Sequence, residues 1–416
     1  MKDQNKRRKT EYILTVLLFL LMLTALPLSW YLLPAEQKAE NTENRELASF
    51  PELRRLSDLE AFPGGFASWY TDHLPWKEKL VQVKSAAEIA VFQELDSDQV
   101  LLGKERPWLF YKKLDGEQIA NYKHQSYFTN EDLNSIKQTL LALREELLEE
   151  GIGFALLIVP DKENIYGEYM PENIRVLWEK PDRTGVLLSY LEEEAPELTV
   201  VYPKEELTAL KRTAVSDTGE GLPVYYESDT HWNRVGAKAG TDALFRALSE
   251  QDPEWEKAIL DLDFTETAYS GIEGFLPGER MFHEGDLQKL CRLSSSYNSR
   301  DPYPTRLPLM KKEEEVLAPG GEAVYQRCRS ENREAASRKL YVAGDSFRWH
   351  MAPYLQEGAL ESILCARSYL DLSDVKKEKP DALVYELPER YLAELLFLPG
   401  VLTPSNQFTE AYVHRS

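Results

Sequence analysis

The run Lys339-Leu340-Tyr341-Val342-Ala343-Gly344-Asp345-Ser346-Phe347-Arg348 reads as a strand, a tight turn and the start of a helix. Its first half is apolar enough to be buried on both faces, as strands of parallel sheets are. Gly344 and Asp345 supply turn chemistry, and a helix is expected from Arg348. FALLIV, Phe154 to Val159, is a second apolar run of the same kind. Leu198 to Tyr202 and Asp381 to Glu386 are further strand candidates. Helical patterns lie between them. Asn130 to Glu150 is amphipathic, with Glu145, Glu146, Glu149 and Glu150 on its polar side and Gly151 as its stop. Arg234 to Leu248 is a helix opened by Asn233, and another helix is expected to run through Leu395. Strands alternating with helices predict an α/β domain on a mostly parallel sheet. In such sheets functional groups gather outside the carboxyl ends of the strands. Asp261 to Arg338 breaks the rhythm and is expected to be an irregular insertion, being rich in Pro, Gly and charge. Upstream, Val100 to Tyr111 alternates around Gly103 as a short hairpin. Leu80 to Leu95 has helical apolar spacing, and so does the stretch holding Phe66, Trp69 and Tyr70.

The N-terminus carries a different signal. Tyr12 to Leu33 is apolar and uncharged, and crossing a bilayer core takes about 20 such residues. Lys6, Arg7, Arg8 and Lys9 precede it, which by the positive-inside rule keeps that end in the cytoplasm. Trp30 and Tyr31 suit the far interface. A cleaved signal peptide is the alternative; a longer apolar run than usual and the lack of a clear A-x-A site favour an anchor. Either way the body of the chain is expected outside the cytoplasm, at the cell membrane for the anchored form.

The net charge is −21, from 70 acidic and 49 basic residues. No basic patch is visible beyond the first ten or so residues, so nucleic acid is excluded as a partner. Cys291, Cys328 and Cys365 form no close pair, and the histidines show no metal-ligand spacing. No metal or organic cofactor is expected.

Two segments can carry chemistry together. Ser346 follows a strand and precedes a helix, where backbone N–H groups can hold a developing oxyanion. By itself this segment is explained by Asp345 or Ser346 capping the helix. In Ser228-Asp229-Thr230-His231-Trp232-Asn233, His231 can serve as the base that a serine hydroxyl needs. Asp229 can orient its second nitrogen. By itself that segment is explained by an Asx turn before the helix from Asn233.

The pairing of Asp229-Thr230-His231-Trp232 with a later Gly344-Asp345-Ser346-Phe347 resembles the alginate-acetylation proteins of the SGNH-like superfamily and the related bacterial DHHW proteins. Thr230 stands where the DHHW pattern has an additional histidine, before the one matched by His231. ENRELASFPEL from Glu43, VPDKENIYGEYMP from Val159, Gly285-Asp286-Leu287 and PDALVYELPERYL from Pro380 are similar to other parts of those proteins, in the same order. The resemblance implies an SGNH-hydrolase-like three-layer α/β/α sandwich. It also implies a triad of Ser346 as nucleophile, His231 as base then acid and Asp229 as orienter, permuted relative to ordinary SGNH hydrolases. Lys162, Tyr166, Asp345 and Trp232 are candidates to line the site, although a loop lysine such as Lys162 is otherwise a solvated charge. His350 is expected to face elsewhere, and Glu389 and Arg390 to be structural charges. The activity implied is O-acetyl transfer to an exopolysaccharide or cell-wall glycan, with a membrane-bound O-acyltransferase as partner. A carbohydrate esterase with the same triad, or a non-catalytic cell-wall scaffold, are the rival readings. The expected organisation is a cytoplasmic tail (1–11), a transmembrane anchor (12–33), a linker with helices (34–99), the catalytic domain (100–400, insertion 261–338) and a C-terminal tail (401–416).

Overall fold

A computed structural model of the chain describes residues 12–17, 19–21, 48–55, 58–73, 77–113, 115–216, 219–319 and 321–398. The chain divides into two units, Met1–Asp96 and Ser97–Ser416.

The second unit is built on a seven-stranded sheet. In chain order its strands are β1 (Gly153–Val159), β2 (Thr199–Val201), β3 (Met310–Leu317), β4 (Ala323–Ser330), β5 (Ala336–Gly344), β6 (Ala359–Ala366) and β7 (Ala382–Pro388). Across the sheet they run β2-β1-β7-β5-β6-β4-β3. The pairs from β2 to β6 are parallel, while β4 is antiparallel to both β6 and β3. The sheet is therefore mixed. The four strands expected from sequence form its parallel part together with β6, which was not expected.

Side-chain alternation sorts the core into two layers. Ala155, Leu157, Val159, Leu340, Val342 and Val384 face one side, and Phe154, Leu156, Ile158, Tyr341, Ala343 and Leu383 the other. The first side is covered by α4 (Arg234–Ser249) and α5 (Phe347–Gly358), through residues such as Leu244, Phe245, Met351 and Leu355. The second is covered by α1 (Asn130–Glu149) and α2 (Arg183–Glu194), through Ile136, Leu140, Leu147, Leu187 and Leu191. Both faces are thus covered, which is why β1 reads as an unbroken apolar run and β7 is apolar up to Glu386. Each such side chain, fully buried, contributes about 1.5–3 kcal/mol. Two further helices are α3 (Lys204–Thr213) and α6 (Leu372–Glu378), and shorter helical turns span Glu117–Tyr122, Lys162–Ile165 and Asp286–Leu290. The short hairpin pairs Val100–Leu102 with Leu109–Tyr111.

The segment 261–338 is not simply an insertion. Its second half supplies β3, β4 and the start of β5. β3 is an edge strand whose Lys311, Lys312, Glu313 and Glu315 are largely exposed, and charges there block edge-to-edge pairing.

In the first unit, Asp58–Asp72 and Lys77–Phe92 are helical. Phe50 meets Trp69 edge-on with ring centroids 4.9 Å apart, and the Ala48 N–H donates to Asp72 Oδ2 at 2.8 Å. Among the described residues no helix is long and apolar enough to cross a membrane. Residues 12–17 and 19–21 are helical. The rest of the expected anchor, both expected tails and residues 34–47 of the expected linker lie outside the described residues.

Candidate active site

The carboxyl end of β5 runs into α5 through Gly344, Asp345 and Ser346. Asp345 Oδ1 accepts the Phe347 N–H at 2.8 Å and so takes the capping role. Its own N–H donates to Glu386 Oε2 on β7, at 2.9 Å. Ser346 makes no side-chain cap. It is exposed, and its Oγ lies 2.6 Å from His231 Nε2.

His231 comes from a tight loop closed by the Tyr225–Trp232 bridge. Asp229 Oδ1 accepts the His231 backbone N–H at 3.0 Å, the Asx turn, and also meets His231 Nδ1 at 2.7 Å. Asn233 caps α4 through the N–H groups of Val235 and Gly236. Trp232 is fully buried, and its Nε1–H donates to the Phe347 carbonyl at 3.2 Å. That bond ties the histidine loop to the serine helix. The structure therefore brings Ser346, His231 and Asp229 into one hydrogen-bonded line, although Ser346 lies far from the other two in sequence.

Burial alone would raise the Asp229 pKa. Hydrogen bonds from His231 and His283 outweigh it and hold the carboxyl well below the usual range. Burial would lower the His231 pKa, but Asp229 beside it keeps the imidazole above its ordinary value.

Lys162 is not a solvated loop charge. It is buried, and its Nζ donates to the backbone carbonyls of Tyr226, Glu227 and Asp229 at 3.2, 3.0 and 2.6 Å. Burial pulls its pKa down to about 8. Lys162 thus props the loop from beneath. Lys162→Met would leave those carbonyls without their donor, and a loss of roughly 2–4 kcal/mol of unfolding free energy is expected in urea titrations. Tyr166 is also a buried packing residue. Its hydroxyl accepts the Val224 N–H at 2.9 Å, and its ring lies 4.4 Å from that of Trp108.

Glu389 and Arg390 are indeed structural, and both are buried. Glu389 accepts from the Asp161 N–H, Asn164 and Tyr202, each at 2.7 Å. Arg390 pairs with Asp161 and lies 5.0 Å over the Phe347 ring. Burial raises the Asp161 carboxyl to about 7.

Three residues went unassigned as site members or were expected elsewhere. His350 does not face away: its ring is 5.2 Å from that of His231, because it stands one turn after Ser346 on α5. The i, i+4 spacing carried that signal. Burial drops its pKa to about 3, so it is neutral. Asp286 accepts the N–H and hydroxyl of Thr230 at 2.8 and 2.6 Å. The preceding Gly285 is required by contact, since a Cβ there would lie 2.1 Å from the Ser228 carbonyl oxygen. His283 meets Asp229 Oδ2 at 2.8 Å; nothing in the pattern around it marks it.

Asp229, His231 and Asp286 present atoms within 4.8 Å of one another, a spacing a cation could use. Each is already engaged in the bonds above, which leaves the group knit to itself rather than open to a ligand.

The model of the SGNH hydrolase-like domain of the acetyltransferase AlgX matches residues 100–316, more than half of the chain. The chain belongs to this family. The matched span includes Asp229, His231, His283 and Asp286 and ends before Ser346. Among relatives, the "Probable alginate O-acetylase AlgJ" of Pseudomonas putida is 26% identical over 370 residues, covering 83% of this chain and 84% of that protein. The protein of the same name from Pseudomonas aeruginosa is 24% identical over 374 residues, with the same coverage of 83% and 84%. A DHHW family protein of Eubacterium siraeum aligns structurally over 74% of this chain and 100% of its own, at 16% identity and a TM-score of 0.45. The family expected from the paired motifs is the family found.

Proposed function

We propose that this SGNH-like acetyltransferase works by a Ser346–His231–Asp229 triad, moving an acetyl group from an activated ester donor to a hydroxyl of an exopolysaccharide or cell-wall glycan. The observation that carries the proposal is His231 bridging Ser346 Oγ and Asp229 at 2.6 and 2.7 Å. Ser346 Oγ attacks the acyl carbonyl while His231 Nε2 takes its proton. The Ser346 N–H, at the head of α5, is positioned for the oxyanion. Collapse passes the proton from His231 to the departing group and leaves an O-acetyl serine. The glycan hydroxyl then gives its proton to His231 and attacks, and His231 returns that proton to Ser346. Asp229 stays ionised throughout and holds Nδ1–H.

The relatives' name supports a polysaccharide acceptor, and the apolar run 12–33 after a basic tail supports a single-pass anchor with the catalytic domain outside. Tethering would raise the effective concentration of a donor delivered at the membrane by an O-acyltransferase partner. A reporter active only outside the cytoplasm, fused after Ser416, should then be active; activity of a cytoplasm-only reporter there would reverse the orientation.

The test of the reaction is incubation with an activated acetyl ester and glycan oligomers. Acetylated oligomer is the expected product. Free acetate alone, across several acceptors, would make the protein an esterase. Because neutral His231 is the reactive form and its pKa lies above the ordinary value, the acylation rate should rise with pH through a midpoint above about 6.5. Initial rates measured from pH 5 to 9 check this; a midpoint below that value would remove Asp229 as the effective partner.

A further inference from the structure

The triad uses one oxygen of Asp229. The other, Oδ2, meets His283 Nε2 and the Asp286 N–H, each at 2.8 Å. His283 is itself held in place. It lies on the two-residue strand Phe282–His283, paired antiparallel with Ser299–Arg300. Its ring lies against Tyr226, with centroids 4.2 Å apart. The Tyr226 hydroxyl donates to Asp301 Oδ1 at 2.7 Å, and Arg234, at the head of α4, pairs with the same carboxylate.

We infer that His283 is a positioning residue for the acyl-transfer step, donating its Nε2–H to Asp229 Oδ2 and so aiming Oδ1 at His231. This rests on the triad reading of Ser346, His231 and Asp229. An ionised carboxylate only accepts hydrogen bonds, so Nε2 of His283 must be the proton-bearing nitrogen. The terminal torsion of an aspartate is broad and roughly two-fold. A carboxylate held by one oxygen can turn about it, and the imidazole it orients turns too. Held at both oxygens, its plane is fixed, and with it the direction of His231 Nε2 toward Ser346. The Asp286 N–H shares Oδ2, so losing His283 should weaken the arrangement without abolishing it.

Two substitutions separate this role from simple packing. His283→Phe keeps an aromatic ring for Tyr226 and removes the donor. His283→Gln places an amide N–H close to the position of Nε2. The probe is a serine-reactive phosphonate, used on the full chain, with saturation kinetics of labelling at Ser346 and the thermal unfolding midpoint of each variant. The Phe variant should lower the maximal labelling rate constant by about tenfold, the size of one charge-assisted hydrogen bond. Its half-saturating concentration should change by less than about twofold, as expected for an interaction that acts in the chemical step. The Gln variant should recover to within about threefold of wild type. His283→Ala replaces the Phe variant if the latter lowers the unfolding midpoint. Equal rates for Phe (or Ala) and Gln variants, whether both fast or both slow, overturn the inference. Failure of the wild type to label at Ser346 overturns the triad reading itself, and is seen before any variant is compared.

Discussion

Ser346→Ala is expected to lower acetyl transfer to glycan oligomers by at least about 10⁴-fold, and His231→Ala by a similar factor. The first removes the proposed acyl-carrying atom, the second the only imidazole within hydrogen-bond distance of that atom among the described residues. His350 cannot substitute. Burial leaves it neutral and so weakly basic that it would not hold the serine proton. The Ser346 change should not unfold the protein, because Ser346 is exposed and makes no cap. Wild-type transfer rates in the Ser346→Ala protein, or unchanged glycan modification in cells that carry it, would leave the fold as a scaffold.

Asp229→Asn should cost about 10³–10⁴-fold in the acylation rate with little change in the ester donor's half-saturating concentration. Asp229 accepts on both sides: His231 Nδ1 and N–H on Oδ1, His283 and the Asp286 N–H on Oδ2. An amide can accept on one side only. With its NH₂ toward His231, it forces Nδ1 to accept and points Nε2–H at Ser346, which removes the base. With its NH₂ toward Oδ2's donors, it faces two N–H groups, and the loop loses its anchor. Either way the negative charge that raises His231 basicity is gone. Single-turnover kinetics with an activated acetyl ester measure this; a loss of under about tenfold would reduce Asp229 to a loop-forming residue.

The parallel part of the sheet was legible where its strands are buried on both faces: β1 is a continuous apolar run, and β5 and β7 are apolar over residues 340–343 and 382–385. The antiparallel half was not. β3 carries lysines and glutamates suited to an edge, and the parallel strand β6 was not legible either, because it begins at Ala359 directly after α5 ends at Gly358, with no loop between them. At the site, each segment had a plain explanation as a helix cap, and the caps are real. They fall to Asp345 and Asn233, which frees Ser346 and His231 for each other. The buried role of Lys162 was not legible for a physical reason. Its partners are backbone carbonyls of a distant loop, and side-chain patterns do not reveal them. His283 sits in a stretch with neither helical nor strand period, so only the folded chain brings it to Asp229.

The most direct measurement is the site of acylation. The full chain is incubated briefly with an activated acetyl ester, quenched in acid and digested, and the peptides are mapped by mass spectrometry. The expected result is a single acetyl addition on the peptide holding Gly344-Asp345-Ser346-Phe347, fragmenting to Ser346 and absent from the His231→Ala protein. Acetylation confined to another residue, or equal acetylation of Ser346 with and without His231, would contradict the Ser346–His231–Asp229 mechanism.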